Sequence, residues 1–72
     1  MKKEVLVFKT NIRSKRSLRK LGPLFNNLPG IGTWHVDLAD REKVLRIESS
    51  GIAPTQVIGL LRQLEFECQE LM

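Results

Sequence analysis

The run Glu4-Val5-Leu6-Val7-Phe8-Lys9 constrains this chain most, because four consecutive apolar side chains sit between charged residues. Side chains alternate across a strand, so a strand with one wet face reads apolar, polar, apolar. Here both alternating sets are apolar and rich in strand formers, which predicts a central strand bounded by Thr10-Asn11. The run is also too short for a membrane span or a signal peptide, despite Lys2 and Lys3 before it.

The rest of the chain must flank and cover that strand. With 72 residues, it is read as one domain, residues 1–72. A domain of this length buries only about 60% of the surface its unfolded chain exposes. That leaves few residues to wall a pocket, so binding, carrying or docking is expected and catalysis is not.

After the strand, Ser14 is a candidate helix cap, and Leu18, Leu21, Phe25 and Leu28 recur at helical spacing with Leu24 beside them. Lys15, Arg16, Arg19 and Lys20 cover the opposite side. Gly22-Pro23 predicts a kink or a restart, since proline removes a donor and strikes the carbonyl four residues back. Leu28-Pro29-Gly30 suits a tight turn with glycine at positive φ. Trp34, Val36 and Leu38 then alternate with Thr33, His35 and Asp37. After a turn at Ala39-Asp40-Arg41-Glu42, Leu45 and Ile47 alternate with Val44 and Arg46, completing a β-hairpin.

Pro54 suits a first helical position and opens a helix with Val57, Ile58, Leu61 and Leu64 on its buried side. Phe66 and Cys68 alternate with Glu67 and Gln69 in a last strand ending near Leu71, although Glu65 to Met72 also reads as a continuation of that helix. The order β-α-β-β-α-β predicts an α+β, ferredoxin-like sandwich: a four-stranded antiparallel sheet with two helices on one face. Its spatial strand order is four, one, three, two, which places the doubly apolar run centrally.

The net charge of +4 is unevenly spread. Residues 1–20 hold eight basic residues (Lys2, Lys3, Lys9, Arg13, Lys15, Arg16, Arg19, Lys20) against Glu4, a balance of +7, and the remainder carries −3. This polarity points to an acidic or phosphate-bearing partner, or simply to a solvated helix face that keeps the domain soluble.

The pieces Thr10-Asn11-Ile12-Arg13-Ser14, Leu18, Leu28-Pro29-Gly30-Ile31, Val36-Asp37-Leu38 and Phe66 stand in an order and spacing that resembles the heavy-metal-associated, or copper-chaperone, domains. No single piece is specific; the joint order across nearly the whole chain carries the resemblance. It implies the same sandwich, with a Thr-Cys-x-x-Cys metal loop after the first strand. The two cysteine positions fall on Asn11 and Ser14, and Glu65 replaces the glycine before the aromatic residue. Thiolates suit Cu(I) because sulfur matches a polarizable cation, whereas an amide and a hydroxyl are hard, weak donors. The resemblance thus implies the fold but not metal transport. Family members commonly dock through charged surfaces around this helix and loop, which implies a partner site at Arg13, Lys15, Arg16, Arg19 and Lys20.

Cys68 and His35 are the remaining soft or borderline ligands, with the terminal methionines. In the predicted strand order they lie on opposite sheet edges, three strand spacings or about 14 Å apart, so one ion cannot bridge them within a monomer. Cys68 is expected to be a small buried hydrophobe and His35 an exposed polar residue on the helix-free face. The lone cysteine excludes an internal disulfide and suits a reducing cytoplasm.

RNA-recognition domains share this element order and use their open sheet face. Here strand three, Lys43-Val44-Leu45-Arg46-Ile47-Glu48, has no aromatic residue on which to stack a base, and the chain has no tyrosine. Gly30-Ile31-Gly32 precedes a strand and reads as a turn, and no catalytic constellation assembles from one histidine and one cysteine.

With Leu6, Phe8, Leu45 and Ile47 turned to the helices, Val5, Val7 and Val44 face the other way. Arg46, the charge beside Lys43 and His35 would then rim a small contact patch, for instance of a weak homodimer. The sequence therefore reads as a non-catalytic interaction module without metal, cofactor or membrane segment, its partner an acidic protein. The alternatives are a metal-binding or transport protein whose site forms between chains at Cys68 or His35, and weak polyanion or RNA binding through the basic helix.

Overall fold

A computed structural model describes residues 4–71; Met1, Lys2, Lys3 and Met72 lie outside the described residues. The elements are β1 (Glu4–Thr10), α1 (Lys15–Asn26), β2 (Ile31–Val36), β3 (Leu45–Ser49), α2 (Pro54–Gln63) and β4 (Cys68–Glu70). The strands form one antiparallel sheet in the order β2-β3-β1-β4, an α+β arrangement consistent with the ferredoxin-like fold. β1 is central, as its doubly apolar sequence requires. Leu6 and Phe8 enter the core while Val5 on the opposite face is 62% exposed.

Ser14 caps α1: its Oγ accepts the Ser17 backbone N–H at 3.2 Å, satisfying a donor that the first turn cannot pair internally. Leu21 and Phe25 are buried, and Leu18 and Leu24 pack against the same cluster. Full burial of each of the first two side chains is worth roughly 1.5–3 kcal/mol. Of the kink or restart expected at Gly22-Pro23, the restart does not occur: α1 runs as one helix through Pro23. Proline denies a donor to the Arg19 carbonyl, but both residues are exposed and water can take that place. The helix ends where the Asn27 side-chain amide donates to the Pro23 carbonyl at 2.8 Å.

Gly30 supplies the expected positive φ, at +95°, and a Cβ there would lie 3.3 Å from the Ile52 nitrogen. β2 pairs Ile31 with Ser49 and Trp34 with Ile47, so Gly32 and Thr33 together oppose Glu48 as a β-bulge. The extra residue turns both Ile31 and Trp34 to the helices, although their spacing of three would otherwise put them on opposite faces. Trp34 meets Phe25 edge-on with ring centroids 5.3 Å apart, and its Nε1–H donates to Asn26 Oδ1 at 3.4 Å. The hairpin loop is wider than the expected four-residue turn. It spans Asp37 to Val44, with Lys43 at φ 48°, and β3 begins only at Leu45.

α2 starts at Pro54, and the Ala53 N–H donates to Gln56 Oε1 at 2.8 Å. Alanine has no side-chain acceptor, so only this half of a reciprocal cap is made. At the far end the Phe66 N–H reaches the Leu61 carbonyl and the Glu65 N–H reaches the Arg62 carbonyl, each at 2.9 Å. This pair is the Schellman closure, with Glu65 in the left-handed position at φ 66°. It stops α2, so the segment from Glu65 does not continue the helix. It also leaves Phe66 and Glu67 outside the last strand, which is shorter than expected at Cys68–Glu70. The Leu71 N–H extends the pairing by donating to the Val7 carbonyl at 2.8 Å.

One cluster gathers the helix residues Leu21, Phe25, Val57 and Leu61 with the strand residues Leu6, Phe8, Val36, Leu45 and Ile47, which puts both helices on one sheet face. Two loop residues complete it, Ile12 and Ile52. The buried hydroxyl of Ser49 donates to the Ile52 carbonyl at 2.9 Å and accepts the Ile52 N–H at 3.0 Å, which fixes the approach to α2.

Candidate functional site

The segment between β1 and α1 is held by the side chains of Thr10, Asn11, Ile12 and Ser14. Thr10 is buried at the end of β1, where its hydroxyl donates to the Lys43 carbonyl at 2.6 Å and accepts the Ile12 N–H at 3.2 Å. The Thr10 N–H donates to the Glu42 carbonyl at 3.0 Å, so this strand end is bound to the hairpin loop. Ile12 is fully buried and plugs the loop into the core.

Asn11 Oδ1 accepts the Glu67 N–H at 2.9 Å, and Ser14 Oγ accepts the Ser17 N–H and donates to the Ser17 hydroxyl, both at 3.2 Å. The side-chain oxygens of Asn11 and Ser14 thus both accept backbone donors. A neutral amide and a hydroxyl used in this way are poor ligands for a soft ion. Among the described residues, no group of three or more His, Cys, Asp or Glu side chains lies close enough together to hold a metal ion.

Arg13, Lys15, Arg16, Arg19 and Lys20 are all exposed. At 100° per residue, Lys15, Arg16, Arg19 and Lys20 fall within about 140° of the helix circumference, opposite Leu21 and Phe25. The first turn of α1 contains no acidic side chain. Cations at a helix N-terminus oppose the helix dipole, so the packing of α1 carries them without local charge compensation in that turn. The result is a one-sided cationic surface joined to the Asn11–Ser14 loop.

Cys68 and His35 stand on β4 and β2, the two edge strands, as expected. Cys68 is half-buried, and burial pushes its thiol from 9.0 up to about 11 against a weaker opposing pull from Arg62. It lies on an open hollow of about 440 Å³ shared with Lys9, Arg62, Phe66 and Glu67. A thiol held protonated is a poor nucleophile and a poor metal ligand. His35 is exposed, its strand position paired with Arg46.

The helix-free face differs from the expected apolar patch. Val7 pairs with Arg46, which pairs in turn with His35, and Val5 pairs with Glu48. Because β3 is central, Arg46 and Glu48 occupy the middle of the face and not its rim. Val44 precedes β3 and is half-buried. The Lys43 ammonium donates to the Leu38 carbonyl at 2.7 Å, within the hairpin loop.

Sequence reasoning missed Thr10 and Ile12 as anchors of the loop, although an isolated isoleucine amid polar residues was a usable signal. No described helix is long and apolar enough to cross a membrane. No protein-family model matches the chain, and a comparison with curated proteins gives no match.

Proposed function

We propose that this protein is a non-catalytic interaction module of a reducing cytoplasm, related to the heavy-metal-associated domains but no longer a metal carrier. It docks an acidic protein through the cationic face of α1 and the adjoining loop. The observation that carries the reading is the coexistence of two features in one segment. Arg13, Lys15, Arg16, Arg19 and Lys20 project from it into solvent, while Asn11 and Ser14, at the positions of the family's sulfur ligands, are committed to backbone hydrogen bonds. Exposed charges of one sign steer encounter and set specificity, and such binding weakens with salt. The separation of Cys68 and His35 on opposite edges, and the protonated state of the thiol, count against a carrier assembled from those residues.

Affinity capture from the source cell with the wild-type chain and the variant Arg16→Glu/Lys20→Glu, each with and without added Cu(I), tests the proposal. The reading requires a partner that the wild type retains irrespective of copper and that the variant loses. Equal recovery by the variant, or recovery only with copper, would overturn it.

A further inference from the structure

We infer that the helix-free sheet face is a self-complementary surface that pairs two copies of this chain face to face. Its centre is formed by two cross-strand rows, Val7, Arg46 and His35 in one, and Val5 and Glu48, ending at the Gly32-Thr33 bulge, in the other; Lys9 and Gln69 form a further row toward the β4 edge. A two-fold axis in the plane of the interface, perpendicular to the strands and passing between the two central rows, exchanges them. It lays β1 over β1 and β3 over β3 of the second copy, so Arg46 meets Glu48 of the second copy and Glu48 meets its Arg46. Val5 and Val7 meet Val7 and Val5 of the second copy in the same way.

An isologous contact requires such self-complementarity. An axis lying along β3 would put Arg46 on Arg46 and Glu48 on Glu48, which like-charge repulsion disfavours, and one parallel to it between β1 and β3 would set both charges on valines and leave them unpaired across the interface. The face therefore selects one register as well as a second copy. Val5, at 62% exposed, is a large apolar side chain left to solvent, and this pairing would cover it. The arrangement also turns both α1 helices outward, so the cationic faces lie on opposite outer surfaces and their mutual repulsion is screened.

The face is small. Four strands at ~4.8 Å spacing and about five residues at ~3.3 Å rise cover roughly 300 Å², well below the ~800 Å² per partner of a standard interface. The dimer is accordingly a weak one, forming at high micromolar concentration. This inference is independent of the docking role of α1, since Arg46 and Glu48 lie on the other face.

Sedimentation equilibrium of the wild type, Arg46→Glu, Glu48→Arg and the exchanged pair Arg46→Glu/Glu48→Arg tests it. The wild type is expected to dimerise reversibly, each single reversal to weaken dimerisation at least tenfold, and the exchanged pair to return within about threefold of wild type. A wild type that stays monomeric at millimolar concentration would overturn the inference. So would single reversals that associate as the wild type does, or a folded exchanged pair that fails to recover. If a single reversal does not fold by circular dichroism, Val5→Lys at the exposed position reads the same interface, and undiminished association of that variant overturns the pairing.

Discussion

The side-chain oxygen of Asn11 accepts the backbone N–H of Glu67 at 2.9 Å and thereby fastens the loop after β1 to the approach of β4, 56 residues away in sequence. The amide oxygen thus bridges two segments distant in sequence across the β1–β4 edge.

Replacing Asn11 by Ala removes that acceptor, and the cost is expected to be about 1 kcal/mol, the usual net value of such a bond. Asn11→Asp keeps an acceptor at the same reach and is expected to lose less. Urea unfolding of the three chains measures both effects. Equal stability of Asn11→Ala and wild type would mean that the bond contributes nothing.

Glu65 occupies a left-handed position that glycine adopts without a Cβ penalty. The left-handed conformation costs a non-glycine residue roughly 1–2 kcal/mol, and glycine returns part of this as lost backbone entropy. Glu65→Gly is therefore expected to stabilise the fold by about 0.5–1 kcal/mol, read as a higher denaturation midpoint at unchanged slope. A destabilised variant would contradict the assignment of Glu65 to the Schellman closure.

Much of this architecture was legible because the strongest sequence signals and the tertiary structure agree. The doubly apolar Val5–Phe8 run could only be central, and Ser14 had the side chain a cap needs at the head of an amphipathic segment. The signals failed where long-range contacts decide. Pro23 permits a restart by local rules, but it lies on the solvent side of a helix held by Leu21 and Phe25, so packing keeps one helix there. The bulge at Gly32-Thr33 breaks strict alternation, a shift that no count of period two reveals. At the candidate site the cationic residues were legible from charge alone. The anchoring roles of Thr10 and Asn11 were not, since their partners Lys43 and Glu67 are far away in sequence.

Cys68 should react slowly. Its thiol is pushed up to about 11, so at pH 8.5 the folded chain holds far less thiolate than the unfolded chain, whose thiol titrates near 9.0. Alkylation by iodoacetamide is expected to be at least about tenfold slower in the native state than in urea. The native state keeps its proton above pH 9 where the unfolded chain has lost it, so this group's contribution to stability falls as pH rises from about 9 to about 11. Equal native and unfolded alkylation rates would show that burial does not protect the thiol.

The docking role of α1 is tested most directly by residue-level NMR shifts during titration with an oligoglutamate peptide as a stand-in for an acidic partner. The account predicts that the largest shifts cluster at Arg13, Lys15, Arg16, Arg19 and Lys20, and that Arg16→Glu/Lys20→Glu weakens binding at least about tenfold, as does added salt. Shifts centred on the helix-free face or around Cys68, or binding that the charge reversal leaves unchanged, would contradict it.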